Sequence, residues 1–212
     1  MRDNGGIKTM LREAGILFGI TLIAGLLLGF VYELTKEPRR IQQEKAVQEA
    51  CVAVFPQAKE QELEISFTPL EYTLSEETED YLAAEKVTVG ALFRAEYNGS
   101  FYGYVVEASA KGYGGNIVLY VGVGADGTVN GVTITQTSET PGLGLEASGV
   151  LTPQFAGKKY ESFVYTKTGA GKNTNEVDAI SGATITTKAV TAAVNGGLRA
   201  ALELLEGGAA NE

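Results

Sequence analysis

The sequence predicts an α+β fold in which a single N-terminal transmembrane helix precedes an antiparallel-sheet domain that ends in a C-terminal helix. Three observations predict it. The run Ala14–Tyr32 holds 19 residues without a charge. The middle of the chain alternates apolar and polar residues between turn signals, as half-buried strands do. The stretch from Ile185 to Leu205 returns apolar residues at helical spacing.

Composition narrows the functional classes. The 212 residues include no histidine and one cysteine, Cys51, and the net charge is -9. Triads and zinc sites built on imidazole are excluded, as are an internal disulfide and an iron–sulfur cluster held by this chain alone. No metal site is expected. A nucleic-acid partner calls for a basic footprint, and this chain is acidic.

Residues 1–13 form an N-terminal tail and 14–34 the transmembrane helix. At about 1.5 Å per residue the uncharged run just crosses a hydrocarbon core of roughly 30 Å. It ends Gly29-Phe30-Val31-Tyr32-Glu33, without the small-x-small site of a cleaved signal peptide, so a retained anchor is expected. Basic residues flank both ends, and the positive-inside rule gives no orientation. Beyond Arg40 acids outnumber bases two to one, which opposes a domain lying flat on an anionic membrane.

Residues 35–56 read as a helical stalk. Pro38 marks a break or a new first turn, and Ile41, Val47, Ala50, Cys51 and Val54 follow at roughly helical spacing. Cys51 lies on that stripe as a small buried hydrophobe. Residues 57–207 form the domain. A β pattern starts near Ala58, with Leu63–Phe67 alternating, and the acidic stretch Ser75–Glu85 is a solvated loop or short helix. Ala91–Tyr97 and Phe101–Ser109 flank Asn98-Gly99, while Asn116–Gly122 and Thr128–Thr135 flank Ala125-Asp126-Gly127. Both pairs read as hairpins. Gly142–Phe155 is partly helical, Phe163–Lys167 a possible strand and Gly169–Asn175 a loop. The closing helix ends at Gly207-Gly208, and 208–212 form a flexible tail.

Two motifs carry chemistry. Asp178-Ala179-Ile180-Ser181-Gly182-Ala183-Thr184 places small residues and hydroxyls just before a helix, where unpaired N–H groups and the dipole favour an anion. The same residues also suit a plain helix cap. Thr137-Ser138-Glu139-Thr140-Pro141-Gly142-Leu143-Gly144 sets polar side chains and an apolar leucine at a strand end, either as a turn or as a seat for a planar amphipathic ligand.

With Gly112-Tyr113-Gly114-Gly115, these motifs resemble the covalent FMN-binding domains of bacterial ion-translocating redox complexes. The likeness is strongest to the G subunits of Rnf ferredoxin:NAD oxidoreductases and extends to the C subunits of sodium-pumping NADH:quinone oxidoreductases. In that family a flavin transferase moves FMN from FAD onto the last threonine of Asp-x-x-(Ser/Thr)-Gly-Ala-Thr, through a phosphoester. The resemblance therefore implies FMN on Thr184, with Asp178, Ser181, Gly182 and Ala183 as the attachment motif. It also implies that Glu139, Thr140, Gly142 and Leu143 line the isoalloxazine. Lys167 and Lys172 either balance the phosphate or reduced-flavin charge or are solvated loop lysines. The implied protein is an electron carrier in the cell membrane with its flavin domain outside the cytoplasm; the alternatives are a free-standing extracytoplasmic flavin carrier and a cofactor-free anchored binding module in which Thr184 is only a cap. Its implied partners are the other members of the complex and the flavin transferase.

Overall fold

The computed structural model describes residues 4–167, 169 and 174–207, so Lys172 and the tail 208–212 lie outside the described residues. The chain divides into two compact units, Met1–Ala46 and Val47–Glu212.

The described residues of the first unit lie within α1, Asn4–Ala53. Among the described residues this is the one helix long and apolar enough to cross a membrane. Its large apolar side chains from Met10 to Leu34 are exposed, which suits lipid and not water. The helix continues through Pro38, where the sequence suggests a break or restart. Proline removes one i→i−4 bond, but the turns around it are held by side chains. Arg40 pairs with Glu37 across the proline and with Glu44 beyond it, both at 3.1 Å. Such pairs each contribute about 0.2–0.5 kcal/mol.

The second unit is built on a five-stranded antiparallel meander, β1 Ile65–Pro69, β2 Val87–Tyr97, β3 Ser100–Lys111, β4 Asn116–Gly124 and β5 Val129–Gln136, in the order β1-β2-β3-β4-β5. Asn98 and Gly99 turn the β2–β3 hairpin with φ of 51° and 75°, as their side chains permit. A short helix α2, Pro56–Glu60, occupies the place where the β pattern was expected to begin. Pro56 at its first position pre-sets the helical φ there. The acidic stretch is helix α3, Glu76–Glu85, capped by the Ser75 hydroxyl and carrying three glutamates in its first turn, where the dipole favours them.

Helix α5, Thr184–Glu206, covers one face of the sheet. Gly196 and Gly197 let it approach closely, since a methyl at Gly196 would stand 2.6 Å from the Val87 side chain. The last turns of α1 and the residues after it cover the other face, where Ala50, Cys51, Val54 and Phe55 pack on Ala95, Val105 and Tyr120. Burial there pushes the Cys51 thiol up to about 12, consistent with an inert hydrophobe. Gly122 and Gly131, partners across β4 and β5, form a notch for the Val54 backbone.

From β5 the chain passes through a 3₁₀ turn Gly144–Glu146, the short helix α4 Ala147–Val150 and a second 3₁₀ turn Thr152–Gln154, in the partly helical region read from sequence. It then forms β6 Val164–Thr166 and a parallel partner β7 Glu176–Asp178, which delivers the chain to the start of α5. β7 has three residues, too few to show periodicity.

The Val54 notch is testable. A methyl at Gly131 would stand 2.8 Å from the Val54 carbonyl oxygen, and both groups are backbone. Gly131→Ala is expected to lose about 1–3 kcal/mol of stability, the usual range for an overpacked site. Gly149→Ala, with nothing within 4 Å, is the matched control. Thermal melting of the detergent-solubilised chain distinguishes them, and equal melting temperatures would show that the notch has slack.

Candidate functional site

The attachment motif and the Pro-Gly motif fold into two turns of one kind. Thr140 accepts from the Leu143 N–H at 3.2 Å around Pro141-Gly142, and Ile180 accepts from the Ala183 N–H at 3.0 Å around Ser181-Gly182. Gly142 and Gly182 hold φ of 75° and 76°, the left-handed position that the third residue of a type II turn requires. The turns touch, since a methyl on Gly182 would lie 3.1 Å from the Leu143 side chain.

Between them opens a cavity of 560 Å³. Its walls include Tyr113, Glu139, Leu143, Thr184 and Ile185. That volume lies within the range of about 300–1,000 Å³ usual for small-molecule sites. The floor is held by Glu139, which is buried although its neighbours Ser138 and Thr140 are exposed. One carboxylate oxygen accepts from the Gly114 N–H at 2.9 Å, and the other accepts from the Thr186 hydroxyl. Glycines crowd the carboxylate on both sides. A methyl at Gly112 would stand 2.4 Å from one oxygen, and one at Gly144 2.5 Å from the other.

The start of α5 carries three threonines with different surroundings. Thr186 and Thr187 are buried. Thr186 donates to Glu139, while Thr187 donates to the Ala183 carbonyl at 2.9 Å and accepts from the Ile180 N–H at 3.1 Å. Thr184 is half-buried in the cavity wall, and among the described residues its hydroxyl has no partner. It is the first helical residue. The cap position belongs to Ala183, whose side chain cannot cap. No acidic residue lies in the first turn, and the N–H groups of Thr184, Ile185 and Thr186 make no backbone bond among the described residues. An uncapped N-terminus of a 23-residue helix, opening on a cavity, is a seat for an anion. The adjoining Leu143 and Ile185, 41% and 56% exposed, offer apolar surface for a planar group. A phosphate-bearing ring system such as FMN fits this donor set.

The structure brings Glu139, Thr140, Leu143, Gly182, Ala183 and Thr184 into one cavity wall. Gly142 and Ser181 shape the turns from outside it. Asp178 is exposed at the end of β7, where its N–H donates to Gln154 at 2.6 Å and its carbonyl accepts from the same side chain. Lys167 is exposed after β6 and does not line the cavity. Sequence reading gave no role to Tyr113, Gly144, Ile185 or Thr186. Thr186 carried a signal, a third hydroxyl just past the helix start, but its partner lies 47 residues away.

The FMN-binding domain family matches residues 112–199. The G subunit of the Na⁺-translocating ferredoxin:NAD⁺ oxidoreductase complex of Acetobacterium woodii is 46% identical over 100 residues, spanning 46% of this chain and 48% of that one. The chain thus spans about half of that relative's length in the aligned region. The G subunit of the ion-translocating oxidoreductase complex of Methanosarcina acetivorans is 33% identical over 177 residues, covering 83% of this chain and 86% of that one. Its counterpart in Aliivibrio fischeri MJ11 is 31% identical over 192 residues, covering 89% and 88%. The crystal structure of the C subunit from the Na⁺-translocating NADH-quinone reductase of Parabacteroides distasonis shares the fold, with a TM-score of 0.55, 23% identity and coverage of 78% and 94%. The family match defines an FMN-binding domain in a chain that also carries, among the described residues, one helix long and apolar enough to cross a membrane. More particularly, the chain belongs to the family of G subunits of ion-translocating oxidoreductase complexes.

The Glu139 clasp predicts a graded mutational response. Glu139→Ala strands the buried Thr186 hydroxyl and the Gly114 N–H, at about 1–3 kcal/mol for each unsatisfied group. Glu139→Gln keeps an acceptor for Gly114 and a donor for the Thr186 oxygen, and is expected to lose less than half as much. Urea unfolding midpoints of the two variants measure the difference, and equal losses would mean that charge, not hydrogen bonding, holds the clasp.

Proposed function

We propose that this chain is a membrane-anchored electron carrier whose FMN is held by a phosphoester to Thr184, acting within an ion-translocating ferredoxin:NAD oxidoreductase complex. The observation that carries the reading is the contrast among three threonines. Thr186 and Thr187 have committed, buried hydroxyls, whereas Thr184 presents an unpartnered one to a cavity at an open helix N-terminus.

When bound, FMN supplies one- and two-electron redox chemistry. The chain's own residues bind and orient it. The first-turn N–H groups of α5 receive the ester phosphate, and the helix dipole favours its charge. Leu143 and Ile185 exclude water from the ring, and the Pro141-Gly142 turn fixes the wall on which Leu143 stands. The cavity wall contains neither a histidine nor a thiol to exchange protons with a small substrate, which supports a carrier over an enzyme with its own substrate. The relatives' names supply the complex. The apolar helix supplies the anchor, and the domain is assigned to the extracytoplasmic side. A covalent bond prevents loss of the flavin by dilution there, and a flavin transferase forms it.

Attachment is tested by peptide mass spectrometry of the full chain produced with a flavin transferase. One FMN less one water is expected on Thr184. Thr184→Ala abolishes it, Thr184→Ser retains part, and Thr187→Ala leaves the flavin on Thr184 while lowering the melting temperature. Flavin on Thr186 or Thr187 would overturn the assignment.

Topology is tested separately. A reporter fused after Glu212 that works only outside the cytoplasm is expected to be active, and a fusion active only in the cytoplasm would reverse the orientation.

A further inference from the structure

Tyr113 is the most exposed large apolar side chain of the second unit, at 72%, ahead of Ile185 at 56%. Tyr113 stands on a turn that is fixed from three sides. Gly112 donates to the Gly115 carbonyl at 2.8 Å across it. The Gly114 N–H is held by Glu139. A methyl at Gly114 would stand 2.1 Å from the Ser138 carbonyl oxygen, so the turn is pressed against the segment that leads to the cavity floor. None of these glycines has a positive φ, so their small size serves close approach and not the turn itself. The fold thus fixes the backbone beneath an aromatic ring that buries little of its own surface.

The ring lines the cavity that Thr184 also lines and is its only aromatic among the described residues. It makes no ring–ring contact with another aromatic there, and its hydroxyl has no hydrogen-bond partner among the described residues. We infer that Tyr113 stacks on the isoalloxazine of the flavin tethered at Thr184 and sets the balance between docked and free ring. This inference rests on the proposed attachment. The ester at Thr184 fixes only the phosphate end, so the ring's position depends on contacts made at its own end. An offset aromatic pair is the strongest such contact the cavity offers. Glu139 acts here as a positioning residue, since its carboxylate holds the Gly114 N–H of the turn on which Tyr113 stands.

The test uses the full chain in detergent with flavin attached, and reads attachment by intact mass and docking by fluorescence and visible circular dichroism. A phenol in contact with excited oxidised flavin lends it an electron and takes it back, which quenches emission without net chemistry. Tyr113→Leu is expected to keep the flavin mass and melting temperature, to raise flavin fluorescence and to weaken the visible dichroism. An aromatic pair of ordinary strength corresponds to about a two- to tenfold shift from docked to free ring. Tyr113→Trp is expected to keep both the quenching and the dichroism. An independent measurement needs no variant: nitration of Tyr113, followed by peptide mass, should be severalfold slower in the flavinylated chain than in chain made without the transferase. Attached flavin with unchanged spectra in Tyr113→Leu, or equal nitration rates, would overturn the stacking while leaving attachment intact. Absence of flavin from Thr184 in the unaltered chain would overturn both.

Discussion

The site depends on one buried carboxylate. Glu139 receives the Gly114 N–H from 25 residues before it and the Thr186 hydroxyl from 47 residues after it. Three segments that look unrelated in sequence, a glycine turn between strands, a Pro-Gly turn after the sheet and the first turn of the last helix, meet at its two oxygens. A buried carboxylate is costly unless its lone pairs are used, and the glycines crowding it explain how donors come close enough. A side chain at Gly112 or Gly144 would push a wall of the site outward. Gly112 and Gly144 are therefore spaces that the carboxylate and its surroundings fill.

This clasp also divides the labour among the threonines of α5. A helix start must satisfy its free donors somehow, and most do so with a serine, threonine or aspartate at the cap. Here Ala183 holds that position, Thr187 turns back to serve the preceding turn, and Thr186 serves Glu139. What remains is an uncapped N-terminus with one uncommitted hydroxyl beside it. A helix that buried its N-terminus without partners would be unstable, so the open end calls for water or an anion. An esterified phosphate satisfies both the donors and the hydroxyl with one group.

Much of this was legible in the sequence and some was not, for physical reasons. The four strands of the two hairpins were readable because alternation and turn residues are local signals, and Asn98-Gly99 takes the positive φ values its chemistry allows. The last helix was readable from its stripe, within a residue of either end. The continuity of α1 through Pro38 was not, because a proline inside an apolar-periodic run reads locally as a break, and the ion pair that spans it recovers only a small part of the lost backbone bond. β7 was too short to announce itself. At the site, the family resemblance implied Thr184, but nothing local distinguishes its hydroxyl from those of Thr186 and Thr187. That distinction comes from a carboxylate and a turn carbonyl that only the fold brings near. Tyr113 was visible as a letter within a glycine motif, and its exposure was not, since an aromatic between glycines reads equally well as buried.

A tether and a seat solve different problems. An ester bond keeps a flavin at high effective concentration whatever the state of its binding surface. It does not orient the ring, and electron transfer between neighbouring centres depends on where the ring is. Orientation therefore falls to groups that do not touch the phosphate: Leu143, set by a Pro-Gly turn, and the wall across from it. Leu143 follows β5 of the same sheet that α5, the helix beginning at Thr184, packs against. β4 and β5 are backed by α5 on one face and by the Val54 region on the other, in a notch with no room for one more methyl. With the proposed ester, such a carrier would hold its cofactor by covalent chemistry at a helix end and position it by the packing of an open five-stranded sheet. The two would meet where the hydroxyl of Thr186, two residues past the proposed tether, reaches the Glu139 carboxylate.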